Sequence, residues 1–231
     1  MENIVIVTIK EWNISNYFQL KKNFEDKFKF KLITNKDDLS QKNIERLNPK
    51  YIFFPHWSWI ISKELYTKYE CIVFHMTDLP YGRGGSPFQN LITREVYNTK
   101  ISALKVTDGL DTGDIYIKED LDISLGSAEE NFIKMSNIIF NNIIPKFLTS
   151  KLIAKPQDGD IVTFKRKQPK ESSIDVSESL TLSKLYDFIR MLDAEGYPKA
   201  FIELKNLKIE FSEVNMKSNK LTGRFEVIEN E

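Results

Sequence analysis

Four short apolar runs separated by helix-length amphipathic segments occupy the first 75 residues, and they limit what this chain can become. Asn3 to Ile9 (NIVIVTI) is rich in β-branched residues and apolar almost throughout, as a parallel strand buried on both faces requires. Phe28 to Ile33, Tyr51 to Phe54 and Cys71 to His75 repeat the strand-length pattern, the third ending at Pro55. Between them, Trp12 to Phe24 places Trp12, Tyr17, Phe18, Leu20 and Phe24 at helix-compatible positions. Asp37 to Leu47 reads as a more polar helix and Ile60 to Tyr69 as a short one. Strands alternating with helices build βαβ units. The expected fold class is therefore α/β: a Rossmann-like, mostly parallel sheet with helices on both faces. No G-x-G-x-x-G follows the first strand, so such a sheet need not serve a nicotinamide or flavin.

Further along, Pro87 to Thr93 reads as a helix entered through proline, and Lys100 to Val106 and Ile115 to Glu119 as two strands flanking an acidic turn. Ser127 and Glu130 have capping-box spacing, and the helix behind them lines up Phe132, Met135, Ile138, Ile139, Ile143 and Phe147 as a core stripe. Pro145 inside that stripe should kink or shorten it. Composition turns polar at Lys155. A linker with one strand is expected from there, then a helix from Leu180 to Leu192, a turn around Gly196 and Pro198, and short strands from Ala200 to Ile228. The expected division is 1–150 as the catalytic α/β domain and 151–231 as linker plus a small C-terminal α+β appendage.

The totals exclude several classes. Lys plus Arg equals Asp plus Glu at 33 each, which argues against a general attraction to nucleic acid. One cysteine, Cys71, makes neither an internal disulfide nor a cysteine-based zinc site, and no metal is expected. The N-terminal apolar run is too short for a signal peptide or membrane span, so the expected setting is cytoplasmic, with no membrane partner. The 231 residues suffice for a substantial core.

Chemistry concentrates between His75 and Asp114. Five of the nine glycines fall from Gly82 to Gly113, and none precedes Gly82. One of only two histidines opens this window, and Asp108, Asp111 and Asp114 close it. A histidine, a glycine-rich turn and a carboxylate loop together suit acid–base catalysis. On spacing alone, a tight loop packed on a core strand with His75 satisfied inside explains the same residues.

FHMTDLPYGRGGSP resembles the N-x-H-x-S-L-L-P-x-x-R-G-x-x-P signature of enzymes that use 10-formyltetrahydrofolate, and DGLDTGDIY is similar to that family's second signature. The family includes methionyl-tRNA formyltransferase, sugar N-formyltransferases and a formylation domain of peptide synthetases. The tail segments FKRKQPKESSID and DFIRMLDAEGYPKAFI look like the sugar-modifying members. The resemblance implies N-formyl transfer from 10-formyltetrahydrofolate, with His75 and Asp111 catalytic: an amine attacks the formyl carbon, an oxyanion forms, and the amine loses a proton. It implies a pterin-facing loop at Trp59, Ile60 and Ile61, and a second contact at Thr107, Asp108, Gly109, Leu110 and Asp111. Arg83 matches the R of the R-G pair and would fix the loop.

One position departs from the pattern. The family's asparagine two residues before the histidine is Val73 here, and valine donates no hydrogen bond. Asn90, Ser58 and His56 are candidates to replace it. The resemblance points to a nucleotide-linked amino-deoxy sugar, best a UDP-linked 4-amino-4,6-dideoxyhexose for a surface glycan, with no nucleic-acid partner. The small terminal strands could close a homodimer, as in some sugar-type relatives. The alternatives are formylation of an aminoacyl-tRNA or carrier-bound amino acid, or a non-catalytic folate or nucleotide-sugar binding module.

Overall fold

The computed structural model describes residues 1–177 and 179–229. In chain order it runs β1 (Glu2–Val7), α1 (Glu11–Phe24), β2 (Phe28–Ile33), α2 (Gln41–Leu47), β3 (Pro49–Phe54), α3 (Lys63–Lys68), β4 (Cys71–His75) and β5 (Tyr81–Gly84). There follow α4 (Pro87–Thr93), β6 (Asn98–Lys105), β7 (Ile115–Asp122), α5 (Ala128–Ile138), a π-helical turn (Ile139–Ile143), α6 (Ile144–Thr149) and β8 (Val162–Phe164). The chain continues through α7 (Leu182–Arg190), β9 (Ala200–Glu203), β10 (Leu207–Met216) and β11 (Leu221–Glu229). Two compact units share it. The first takes Met1–Arg83, Thr99–Leu121 and Ile133–Thr163; the second takes Gly84–Asn98, Asp122–Phe132 and the chain from Phe164.

The first unit is organised by a six-stranded sheet in the order β2-β1-β3-β4-β6-β7. β2, β1, β3 and β4 run parallel, and β6 joins β4 antiparallel, with His75 opposite Ser102. The β-branched run of β1 is central, and Ile4 to Val7 are fully buried. Each such side chain contributes about 1.5–3 kcal/mol by leaving water. Alternation sends Val5, Val7, Ile52 and Phe54 into one cluster, where α2 supplies Ile44 and α3 supplies Leu65. Phe53, of opposite parity, meets Phe147 of α6 edge-on at 5.2 Å. Helices therefore cover both faces, and the mostly parallel α/β sheet is as expected.

Local chemistry shifts some boundaries. The segment from Asp37 to Leu47 is not one helix: Asn35 caps a 3-10 turn at Lys36–Asp38, and α2 begins afresh after Ser40, whose hydroxyl accepts from the Asn43 amide at 3.3 Å. The helix expected from Ile60 starts only at Lys63, leaving Ile60 97% exposed. Pro145 does not break its helix. The π-helical turn just before it widens the backbone where the proline ring would crowd an upstream carbonyl, and α6 continues with proline in its first turn.

In the second unit the expected capping box is present: Ser127 N–H donates to Glu130 at 2.7 Å, and Glu130 N–H to the Ser127 hydroxyl at 3.2 Å. α7 is capped by Thr181, and its Arg190 is buried at 1% exposure. That guanidinium is held by Asp187 at 2.6 Å and by the carbonyls of Ile123 and Gly126. β9, β10 and β11 form the small antiparallel sheet expected at the C-terminal end. Among the described residues, no helix is long and apolar enough to cross a membrane.

Candidate functional site

β4 delivers the imidazole. Strand alternation puts Val73 and His75 on one face, and His75 ends the strand at 8% exposure. The chain then turns, and Gly82, at φ 82°, presents its carbonyl to His75 Nε2 at 2.7 Å. A carbonyl only accepts, so Nε2 carries hydrogen. On the neutral ring, Nδ1 is then the nitrogen with the free electron pair. Nδ1 faces Asp111 Oδ2 at 3.6 Å, both side chains being about nine-tenths buried.

Asp111 is brought there by the turn joining β6 to β7, and its backbone is left-handed at φ 53°. Glycine makes that turn possible. A Cβ on Gly113 would sit 1.8 Å from the Lys105 carbonyl oxygen, so no side chain fits. The base is closed by Lys105 N–H donating to Asp114 O at 2.9 Å. The Thr107 and Thr112 hydroxyls lie 3.2 Å apart across it. The outcome is an imidazole nitrogen and a carboxylate side by side, nearly closed to water. Such a pair can take one proton from an N–H placed against it, and the carboxylate then stabilises the imidazolium.

The two segments expected to hold a pterin sit on one apolar cluster. Ile61 is buried in it, with Trp57 and Val106 packed against it. From that footing Trp59, Ile60 and Leu110 project at 38%, 97% and 73% exposure. The Trp57 and Trp59 rings lie 4.6 Å apart, and Trp57 Nε1 is a buried donor with no hydrogen-bond partner among the described residues. Thr107, Asp108 and Gly109 are exposed, and the Tyr66 hydroxyl donates to Asp108 at 3.4 Å. Exposed apolar side chains on irregular backbone, with an orphaned donor, suit a flat heterocycle with polar edges.

The candidates for the missing amide differ in what they already hold. Asn90, in the second unit, donates to the carbonyls of Gly85 (3.0 Å), Ser86 (3.0 Å) and Lys165 (2.9 Å), and accepts from Arg94 at 2.9 Å. Its amide is committed to a loop. His56 is left-handed at φ 54° and meets Trp12 edge-on at 5.8 Å. Burial, reinforced by the Lys10 charge, lowers its pKa to about 4, so it is neutral at pH 7. Ser58 is exposed. Val73 packs against the apolar cluster. The Cys71 thiol is buried, and burial pushes it up to about 12, which leaves it inert. Among the described residues, no group of three or more His, Cys, Asp or Glu is placed to hold a metal.

Arg83 holds Gln157, donating to its Oε1 from Nε at 3.0 Å and from Nη2 at 2.8 Å. Sequence reasoning missed Gln157. It lies in a polar stretch 46 positions beyond Asp111, and no local pattern distinguishes it.

The formyl transferase family matches residues 3–138, and the C-terminal domain of methionyl-tRNA formyltransferase matches residues 169–228. A methionyl-tRNA formyltransferase from Clostridium thermocellum is 50% identical in sequence, with both chains covered in full and a TM-score of 0.96. A methionyl-tRNA formyltransferase from Campylobacter jejuni is 28% identical over 200 residues, 85% of this chain and 64% of that protein. The chain thus spans less than two thirds of such curated relatives. A sugar N-formyltransferase from Shewanella is similar in fold alone, at 15% identity over 89% of this chain and 94% of that one, with a TM-score of 0.66.

These findings overturn the expectation of a nucleotide-linked amino sugar as substrate and of no nucleic-acid partner. The tail segments read as sugar-type fall largely inside the match to the tRNA-enzyme C-terminal domain. The relatives at 50% and 28% identity are named for a tRNA substrate, while the sugar enzyme is far more distant. A net charge of zero sums over the whole chain, whereas phosphate contact depends on local charge such as Lys165, Arg166, Lys167 and Lys170.

Proposed function

The chain belongs to the formyl transferase family, and on that premise we propose that it transfers the formyl group of 10-formyltetrahydrofolate to the amino group of methionyl-tRNA. The observation that carries the choice of acceptor is the 50% identity, over the whole of both chains, with a methionyl-tRNA formyltransferase. The geometry supplies the means. Trp59, Ile60, Ile61 and the turn from Thr107 to Asp111 hold the folate, which supplies the activated formyl group. The aminoacyl nitrogen approaches Nδ1 of His75 and the Asp111 carboxylate, 3.6 Å from each other, and attacks the formyl carbon. The proton it loses goes to that pair. With Nε2–H engaged by Gly82, the proton arriving at Nδ1 makes an imidazolium, whose charge also favours the oxyanion. The imidazolium returns a proton to the donor nitrogen as the bond from that nitrogen to the formyl carbon breaks, which frees tetrahydrofolate and leaves the formylated amine. Val73 offers no donor there, so the His75–Asp111 pair carries the step.

The test supplies charged initiator tRNA and 10-formyltetrahydrofolate to purified protein and measures formyl-methionine by mass spectrometry. Product is expected, with affinity for tRNA that falls steeply as salt rises. A protein that consumes no donor with any charged tRNA refutes the proposal.

A further inference from the structure

We infer that Gln157 is the positioning residue that holds the Asp111 carboxylate against the imidazole of His75, with Arg83 setting the direction of its amide; the role rests on the formyl-transfer reading above. Gln157 Nε2 donates to the carbonyl of Asp111 at 2.7 Å and to that of Gly113 at 2.8 Å. These oxygens stand on either side of Thr112, at the point where the backbone carries Asp111 in a left-handed conformation. A non-glycine residue stays in that region only where its surroundings over-determine it. The turn's backbone closure, Lys105 N–H to Asp114 O, lies at its base and does not reach Asp111.

An amide can present its oxygen or its nitrogen. Turned over, Gln157 would aim Oε1 at two carbonyl oxygens and release the turn. Arg83 forbids this by donating to Oε1 from both Nε and Nη2, which leaves the NH₂ group for the turn. Gly82, the residue before Arg83, is the one whose carbonyl anchors His75 Nε2. The contacts therefore close a ring within the first unit: His75 to Gly82, along the backbone to Arg83, across to Gln157, on to Asp111 and back to His75. Imidazole and carboxylate are set from one dipeptide, so their separation does not depend on the exposed tip of the turn.

Gln157→Glu tests this because it is nearly isosteric. It keeps oxygen atoms for Arg83 and places oxygen where the turn needs two donors. If Gln157 only braces Arg83, the variant transfers formyl groups as well as the parent. If it positions Asp111, the rate falls about ten- to a hundredfold, as a misplacement of about an ångström does. Hydrogen exchange then rises in the segment 104–116 and is unchanged in β1 and β3. Gln157→Ala, which removes the donors without adding charge, must reproduce that localised rise. Arg83→Lys must retain more activity than Arg83→Ala. Unaltered exchange in 104–116 in both Gln157 variants overturns the inference whatever the activity, as does a parental rate in Gln157→Glu. An inactive parent protein refutes formyl transfer alone, since the exchange measurement needs no turnover.

Discussion

The turn between β6 and β7 and the hairpin of β10 and β11 are both links between neighbouring strands, but they are built in opposite ways. In the turn, Gly113 has a carbonyl where a Cβ would go, Gln157 fixes two more carbonyls, and Asp111 is about nine-tenths buried. In the hairpin, Phe225 and Val227 pair across with Phe211 and Ile209 and are yet 64% and 53% exposed. The nearest carbonyl to a Cβ on Gly223 lies 2.9 Å away, not 1.8 Å. One region uses many constraints to hold a single polar geometry; the other hangs apolar side chains on a ladder held by backbone bonds. Rigid polar placement is what proton transfer needs, so the contrast separates where chemistry can reside from where a surface is offered.

That contrast can be broken experimentally. The largest effect is expected for His75→Ala: a loss of about a thousandfold in formyl transfer, about 4 kcal/mol in barrier, measured under single-turnover conditions. A residual rate within tenfold of the parent would remove the imidazole from the reaction. Next comes Gly113→Ala, which must displace the turn or the Lys105 carbonyl, at a cost of about 3 kcal/mol in urea unfolding. Gly223→Ala, with a looser contact, should cost about 1 kcal/mol. Equal costs would mean that the turn is no more constrained than the hairpin.

Acid sharpens the same comparison, because both histidines lie in the first unit. His56 is depressed to about 4 by burial, then by Lys10, and returns to about 6.5 on unfolding. Its neutral form is favoured by the fold, so its contribution is complete above pH 6.5. It is lost as pH falls toward 4, because the unfolded chain takes the proton first. The loss is at most about 3 kcal/mol, read from urea midpoints between pH 7 and 4. His56→Asn, which tolerates the left-handed backbone, should flatten that dependence; an unchanged slope would show that His56 is not its source. The smallest effect is expected for Phe225→Ala, within about 0.5 kcal/mol in stability, since its side chain is already in water. A fall of 2 kcal/mol or more would mean that the ring is packed in solution.

The α/β sheet was legible because its signals are local: β-branched runs in β1 and strand-length spacing in β2, β3 and β4 need no knowledge of distant residues. The approach of His75 to Asp111 was legible for a different reason, that the residues of both turns match a known pattern. What escaped was long-range. Gln157 has no local mark, and its importance comes from the carbonyls it meets 44 and 46 positions away. Asn90 looked available from sequence, but three carbonyls claim its amide. The acceptor was misread because short tail segments and a whole-chain charge were taken together as pointing away from nucleic acid, and neither reports which surface meets a substrate.

The chain passes between the two units at residues 83, 98, 121, 132 and 163 before it finishes. During synthesis, therefore, the unit that bears His75 waits for its last segment until residue 163 has emerged. Meanwhile 84–98 and 122–132 are already made and have nothing from the tail to join. A gene shortened at that point would yield a complete first unit trailing two stranded pieces of its neighbour, a species for chaperones and proteases rather than a smaller enzyme.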